Sequence, residues 1–241
     1  MKAILHVHTF YSPDCIVPPE RVVDAALADG ADLLLVTDHD NFAGARAVRR
    51  EVERRGASLS VPIAAEILTE LGDVIVAFED DIPGLDVAAL KQFAFLVAYA
   101  RTQGGVLILP HPYQSHSDPE HIAREVDAIE VFNGRCTTWQ NSRASALVAA
   151  TGKAAAYSAD AHVLVDVCSV SAVYEGPASV DTLRLTPTPL RCEQTFKYRV
   201  AFAALTKAVR LRRPRHAAIW TVSVVRNLIQ ERLTRRSRLR S

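Results

Sequence analysis

Along the first 175 positions, apolar residues fall in short runs separated by amphipathic or charged stretches. Ala3–Val7 is one such run. Leu33–Thr37 is another, continuous enough for a strand buried on both faces. Val61–Ala65, Val74–Phe78, Val106–Leu109, Ala128–Phe132 and Ala154–Ser158 also read as strands. Helical patterns lie between them. Glu20–Ala28 follows Pro18 and Pro19 and precedes Gly30, while the charged, Ala-rich Ala43–Arg55 stops at Gly56. Val87–Gln103 ends at Gly104-Gly105, Pro119–Val126 is shorter, and Trp139–Ala150 runs up to Gly152. This alternation predicts parallel βαβ units, and about seven of them fit a compact α/β barrel better than a sandwich. After Tyr174 the pattern weakens. Residues 176–195, with Pro187 and Pro189, read as a linker or as the last barrel elements. Phe196–Val209 and Ala217–Leu233 read as helices, the second with an apolar stripe at Val222, Val225, Ile229 and Leu233. Arg235–Arg240 is expected to fray. The expected organisation is a barrel over residues 1–175 and a basic helical extension over 196–241.

Composition supports a packed core: of 241 residues, 49% are hydrophobic and 23% charged. The net charge of +1 hides an asymmetry. Residues 197–241 hold 13 Lys/Arg and one acid, Glu231, for +12, whereas residues 1–196 hold 15 Lys/Arg and 26 Asp/Glu, for −11. An acidic body is a cue for cation binding. A basic tail is a cue for contact with a polyanion, whether nucleic acid or an anionic membrane, or else for pairing with the acidic body. Cys15, Cys136, Cys168 and Cys192 form no CxxC, which excludes a zinc ribbon or disulfide scaffold. They read as core or surface thiols in a reducing, cytoplasmic compartment. No apolar run has the length of a membrane span, and no signal peptide is expected.

The chemistry sits where strands end. His6 and His8 close the first strand, with Asp14 in the loop beyond; Asp38 and His39 close the second and Glu66 the third. Asp73 introduces the next strand, His111 follows the one after, and Asp160 and His162 follow Ala154–Ser158. In a parallel barrel these ends share one face, so the pattern gathers imidazoles and carboxylates around one cleft. Such a gathering is costly without cations. Imidazole and carboxylate without thiolate suit divalent ions such as Mn²⁺, Zn²⁺ or Fe²⁺. Residues i and i+2 of a strand share a face, so both rings of His6-Val7-His8 reach one ion, and a carboxylate such as Glu66 can bridge two. Asp73 joins the cluster only if the chain after Glu66 makes a short excursion at the rim. Asp38 reads either as a helix cap or as the group that orients a ligand. His116 and His121 read as surface residues.

Together these segments resemble the PHP (polymerase and histidinol phosphatase) domain family. The resemblance rests on His6-Val-His8-Thr9 with Ser12-Pro13-Asp14, Thr37-Asp38-His39-Asp40, Ala65-Glu66, Pro110-His111-Pro112, Glu130-Val131-Phe132-Asn133-Gly134-Arg135 and Ser158-Ala159-Asp160-Ala161-His162, in the family's order. It implies a distorted (β/α)7 TIM-like barrel that hydrolyses a phosphoester at a di- or trinuclear site. By matching position, His6, His8, Glu66 and Asp160 would bind the first ion. Glu66 would bridge to a second, held also by His111, and Asp14, His39 and His162 would hold a third. Many members carry a His near Asp73; here either Asp73 would serve as an oxygen ligand or the second site would be weaker or more open. Ala159 also stands where Gly is common.

The metal ions would activate water, and Asp38, His39, Arg135 and His162 complete the catalytic candidates. His39 or His162 would assist proton transfer if not committed as ligands. Arg135 would either hold a phosphate or pair with a barrel carboxylate. The expected substrate is a nucleotide, a short oligonucleotide or another small phosphomonoester. The alternatives are a histidinol-phosphate-type phosphatase and a non-catalytic, metal-stabilised nucleic-acid-binding module. An amidohydrolase with a carbamylated Lys fits poorly, because none of the five Lys follows a strand in a ligand position.

Overall fold

The computed structural model describes residues 1–82 and 84–238, with the side chains of 235–238 left aside. Of the stretch expected to fray, Arg235–Arg240, residues 235–238 are helical and 239–240 lie outside the described residues. In chain order the elements are β1 (Lys2–Val7), α1 (Pro19–Ala28), β2 (Leu33–Val36), α2 (Ala43–Arg55), β3 (Ile63–Thr69), β4 (Gly72–Phe78), α3 (Val87–Leu90), α4 (Phe93–Thr102) and β5 (Val106–Leu109). There follow α5 (Pro112–Ser115), α6 (Pro119–Glu125), β6 (Ala128–Asn133), α7 (Thr138–Thr151), β7 (Ala154–Ser158), β8 (Val170–Val173), β9 (Thr188–Cys192), α8 (Lys197–Arg210) and α9 (Pro214–Arg238).

The strands form two sheets, β2-β1-β8-β9 and β3-β4-β5-β6-β7, and no closed barrel of seven parallel units. Two features break the expected closure. First, β3 returns through a tight turn into β4, so β3, β4 and β5 pair antiparallel. Second, β8 runs antiparallel to β1 and to β9. Isolated bridges join the sheet margins, Leu33 with Ser60 and His39 with Glu66 on one side, and Val7 with Ala161 on the other. Pro187 and Pro189 lie at and within the last strand. Because β9 is an edge strand, a residue with no N–H to donate is tolerated there.

The expected helix over Val87–Gln103 is broken at Lys91-Gln92. The Glu70 carboxylate accepts the Phe93 N–H at 2.9 Å, and the Glu70 N–H donates to the Lys91 carbonyl at 3.3 Å. Glu70 thus starts α4 as a separate helix.

The core has two layers. Ile4, Leu34, Val36, Ala65, Val76 and Leu109 pack outward against α1, α2, α4 and α6. Ala3, Leu5, Leu33, Leu35, Ala64, Ile75, Ala77, Ile108, Ala128 and Ala156 face one another between the sheets. Strict alternation along β1 would continue this inner row with Val7. Instead the ladder with β2 shifts between Ile4 and Val7, and His6 has φ of 59°. This bulge sends Val7 outward and brings His6 and His8 in, directly above the small apolar floor.

Candidate metal centre

The imidazoles and carboxylates converge over that floor. His6 and His8 have no exposed surface, Glu66 is 1% exposed, and Asp160, His162, Asp14 and His111 are 6% or less. Four groups of ligand atoms each fall within 4.8 Å of one another: His8, Asp14, His39 and His162; His6, His111 and Asp160; His6, His8 and Glu66; and Glu66, Asp73 and His111. Asp73 joins because Thr69 to Gly72 reverse the chain, so β4 starts at the rim beside β3. Glu66 itself lies within β3 rather than at its end.

Backbone strain concentrates here. His6, His111 and Asp160 adopt φ of 59°, 28° and 50°, and Asp40, next to His39, has φ of 49°. Such conformations cost about 1–3 kcal/mol each and persist where the surroundings over-determine them.

The ring orientations follow from hydrogen bonds on the far side of each imidazole. His6 Nδ1 donates to Glu130 Oε1 at 2.7 Å, which turns Nε2 toward the cluster, where loss of its proton would offer a lone pair to an ion. The Ser12 hydroxyl donates to Asp38 Oδ1 at 2.7 Å, so its oxygen accepts from His8 Nδ1 at 3.1 Å. His162 Nδ1 lies 2.9 Å from the Asp160 carbonyl, and Nε2 lies 3.4 Å from Asp14 Oδ1. His6 Nε2, His8 Nε2, Glu66 Oε2 and Asp14 Oδ1 are buried without a hydrogen-bond partner. Unpartnered ligand atoms aimed at a common volume are what divalent ions would complete, so the donor set fits such ions.

Electrostatics point the same way. Burial opposes charge on His6, yet Glu130, Glu66 and Asp160 hold its pKa well above the ordinary value. Burial likewise opposes charge on His39, and Glu66 and Asp14 raise it. His8 is pushed down by burial and by the neighbouring His162. Burial works against ionised Glu66, and His6 and His39 outweigh it, keeping its carboxyl well below the usual range. For Asp160, Arg135 and His6 outweigh burial. Protons on imidazoles thus balance the carboxylates where cations would otherwise do so. Asp73 is shifted upward by burial and by Glu66, the sign of a carboxylate short of positive charge.

Some residues lie elsewhere than expected. Asp38 does not face the cluster. It is fully buried and accepts from the Thr9 N–H at 2.7 Å, the Thr9 hydroxyl at 2.6 Å and the Ser12 hydroxyl. Its influence on the site runs through Ser12 to His8. His116 is not a surface residue: it is half-buried, its Nε2 is 2.7 Å from the Asp73 carbonyl, and its ring fills the space beside Gly72. A Cβ on Gly72, whose φ is 131°, would come within 2.4 Å of that ring. His121 is exposed, as expected. Arg135 Nη1 lies 3.3 Å from Asp160 Oδ1 and 2.7 Å from His162 Nδ1, while its buried Nε has no partner.

Sequence reasoning missed Glu130 and Lys207 as site residues. Glu130 is buried, orients His6 and accepts the His111 N–H at 2.9 Å and the Asn133 amide at 2.9 Å. Its signal was a lone carboxylate inside the apolar run Ala128–Phe132. Lys207 reaches Asp14 Oδ2 at 3.3 Å from α8, a contact across 193 residues that no local pattern encodes.

Asp14, Glu66, Asp73, His111, Arg135 and Lys207 all line a polar cavity of about 170 Å³. Beside it a cleft of about 960 Å³ opens between the loop after β6 and the α8–α9 helices. Arg135 lines both spaces, and Cys136 on the cleft side touches Gln114 on the cavity side. Phe196, Lys197, Trp220, Asn227 and Gln230 line the cleft.

Residues 5–122 match the PHP domain family. The uncharacterized protein MJ1587 of Methanocaldococcus jannaschii is 30% identical over 148 residues, which cover 55% of this chain and 82% of that protein. PsfC from Pseudomonas syringae PB-5123 superposes with a TM-score of 0.63 at 20% identity, over 88% of this chain and 98% of that one. A two-domain protein from Bacteroides vulgatus containing a predicted PHP-like metal-dependent phosphoesterase superposes with a TM-score of 0.59 at 19% identity. That match covers 76% of this chain and 61% of the two-domain protein, so the chain spans about three-fifths of its length. At these identities the structures establish likeness of fold.

Proposed function

This chain belongs to the PHP domain family, and from that premise we propose that it hydrolyses a phosphate ester of a nucleotide or short nucleic acid at a cluster of divalent ions. The observation that carries the reading is the set of overlapping ligand groups that share Glu66, His6, His8 and His111, with buried lone pairs left unpartnered. His6, His8, Glu66 and Asp160 would hold one ion; Glu66, His111 and Asp73 a second; and Asp14, His39 and His162 a third. Bound ions would lower the pKa of a water enough to supply hydroxide at neutral pH. An oxygen donor at Asp73 in place of imidazole favours a harder ion such as Mn²⁺ at the second position.

The protein groups would do the rest. Arg135 and Lys207 flank the cavity, and their N–H groups would bind the non-bridging phosphoryl oxygens as charge develops. His39 has a side chain 26% exposed, against 4% for His162. With the third ion position empty, His39 would pass a proton to the leaving oxygen. The adjoining cleft would take the alcohol. Its aromatic rings and amide edges suit a nucleobase, and its volume far exceeds what a single imidazole needs, which favours a nucleotide over histidinol phosphate.

The test is phosphate release by purified protein with Mn²⁺ on a nucleoside bisphosphate, a mononucleotide, a short oligonucleotide and histidinol phosphate, with Asp160→Ala as control. Turnover of a nucleotide that the substitution abolishes supports the reading. Preference for histidinol phosphate would replace the substrate class. Absence of turnover on every member with metal bound would point to a binding module instead.

A further inference from the structure

The helix α9 carries a second surface that plays no part in the metal centre. Ala217, Trp220, Val224, Asn227, Leu228 and Glu231 are half-buried on its inner side, where it packs along α8. On the opposite side Ile219, Val222, Val225, Ile229 and Leu233 are 64%, 68%, 51%, 54% and 60% exposed. At about 100° and 1.5 Å per residue they make one continuous aliphatic stripe about 20 Å long. Val222, Val225 and Ile229 line a shallow groove, with Thr221, Gln230 and the stem of Arg226 at its edge. Aliphatic patches of this extent on a surface mark an interaction site.

The charge around the stripe identifies what covers it. Arg212, Arg213, Arg215, Arg226 and Arg232 are exposed, and among the described residues none of them forms an ion pair with an acidic side chain. By contrast Arg199, Lys207 and Arg210 of α8 are engaged with the body. We propose that the outer face of α9 docks this protein on an anionic lipid surface, with Ile219, Val222, Val225, Ile229 and Leu233 entering the headgroup–acyl boundary and the arginines meeting lipid phosphates.

Three physical points favour this occupant. An aliphatic stripe edged by arginine matches an anionic bilayer, which offers acyl chains below and phosphates at the level of the guanidinium groups. A second copy of the chain would bring another segment of net charge +12 against the first, with Glu231 as its one acidic side chain. A nucleic acid would satisfy the arginines and leave the aliphatic stripe in water. No helix among the described residues is long and apolar enough to cross a membrane, so the contact is one of lying on the surface.

The test is co-sedimentation of the full chain with vesicles of three parts phosphatidylcholine to one part phosphatidylglycerol, and with vesicles of phosphatidylcholine alone. The anionic vesicles are expected to bind the protein and the neutral ones to bind it far less. The double substitution Val222→Asn with Ile229→Asn is expected to weaken binding by about tenfold or more, since each aliphatic group withdrawn from the acyl region is lost. Both positions are exposed, so circular dichroism and phosphate release should be unchanged in the variant. Equal binding of the variant and the natural chain to anionic vesicles would overturn the role of the stripe. Concentration-dependent dimers that the double substitution abolishes, without vesicle binding, would assign the face to a second copy. Binding of a short oligonucleotide in place of vesicles would assign it to nucleic acid.

Discussion

At the level of single residues, the site is organised by groups that sit behind the imidazoles. Glu130 accepts from His6 Nδ1 and from the His111 backbone, so one carboxylate sets both a tautomer and a strained turn. Glu130→Gln keeps the shape but loses the charge that makes His6 a better donor. Metal affinity should fall by about 10–100-fold with the fold retained, as isothermal titration with Mn²⁺ would read. The raised pKa values of His6, His39 and His111 give a second expectation. Without metal, a histidine whose folded pKa lies above its unfolded one stabilises the fold fully below the unfolded value. That contribution is lost as pH rises through the folded value. Ions bind the neutral rings, so they displace these protons and bind more tightly as pH rises. The gain in Tm on adding Mn²⁺ should therefore be larger at about pH 8 than at about pH 6. A gain that shrinks with pH would remove His6 and His39 from the ligand set.

At the level of elements, what was legible in the sequence depended on how local each cause was. The strand ends were readable because a His or Asp after an apolar run is a local signal: His6, Asp38, His111 and Asp160 all close or follow a strand. The β3–β4 hairpin was not readable as such. Val61–Ala65 and Val74–Phe78 looked like two more parallel strands, and only the pairing of Thr69 with Gly72 shows that they form one antiparallel unit. The break between α3 and α4 was hidden for the same reason, since Glu70 acts from 23 residues away. Asp38 was half legible: a buried carboxylate after β2 was expected to cap α2 or orient a ligand, and it grips Thr9 and Ser12, reaching His8 only through the Ser12 hydroxyl. That grip makes a sharp prediction for α2. A Cβ on Gly44 would fall 1.7 Å from Asp38 Oδ2 and 2.7 Å from Thr9 Oγ1. Gly44→Ala should then cost about 3 kcal/mol or more, because a buried carboxylate with three hydrogen bonds cannot move aside. A denaturant midpoint unchanged from the natural chain would show that the Asp38 network is loose.

At the level of the whole molecule, the C-terminal helices tie the two ends of the chain together over the metal centre. α8 buries Ala201, Ala203 and Ala208, small residues that allow close approach. Arg210 then donates to the carbonyls of Phe10, Ser12 and Cys15 at 2.8, 2.6 and 2.9 Å, clamping the loop that carries Asp14. One turn earlier, Lys207 reaches Asp14 itself. Lys207 touches the cavity, whereas Arg210 touches only backbone, so the two separate contact from positioning. If Lys207 holds a phosphoryl oxygen, Lys207→Ala should raise KM by about tenfold, the worth of one charge-assisted hydrogen bond, with metal content unchanged. Arg210→Ala should raise KM by a similar factor although it meets no substrate, because α8 would no longer hold Lys207 over the cavity. It should also lower stability by about 1–3 kcal/mol through the unpaired carbonyls. Adding Lys207→Ala to Arg210→Ala should raise KM little further, since both act through the same ammonium group. Fully additive effects on KM would mean that α8 contributes stability alone, and that the phosphate is held by Arg135 and the metal ions without it.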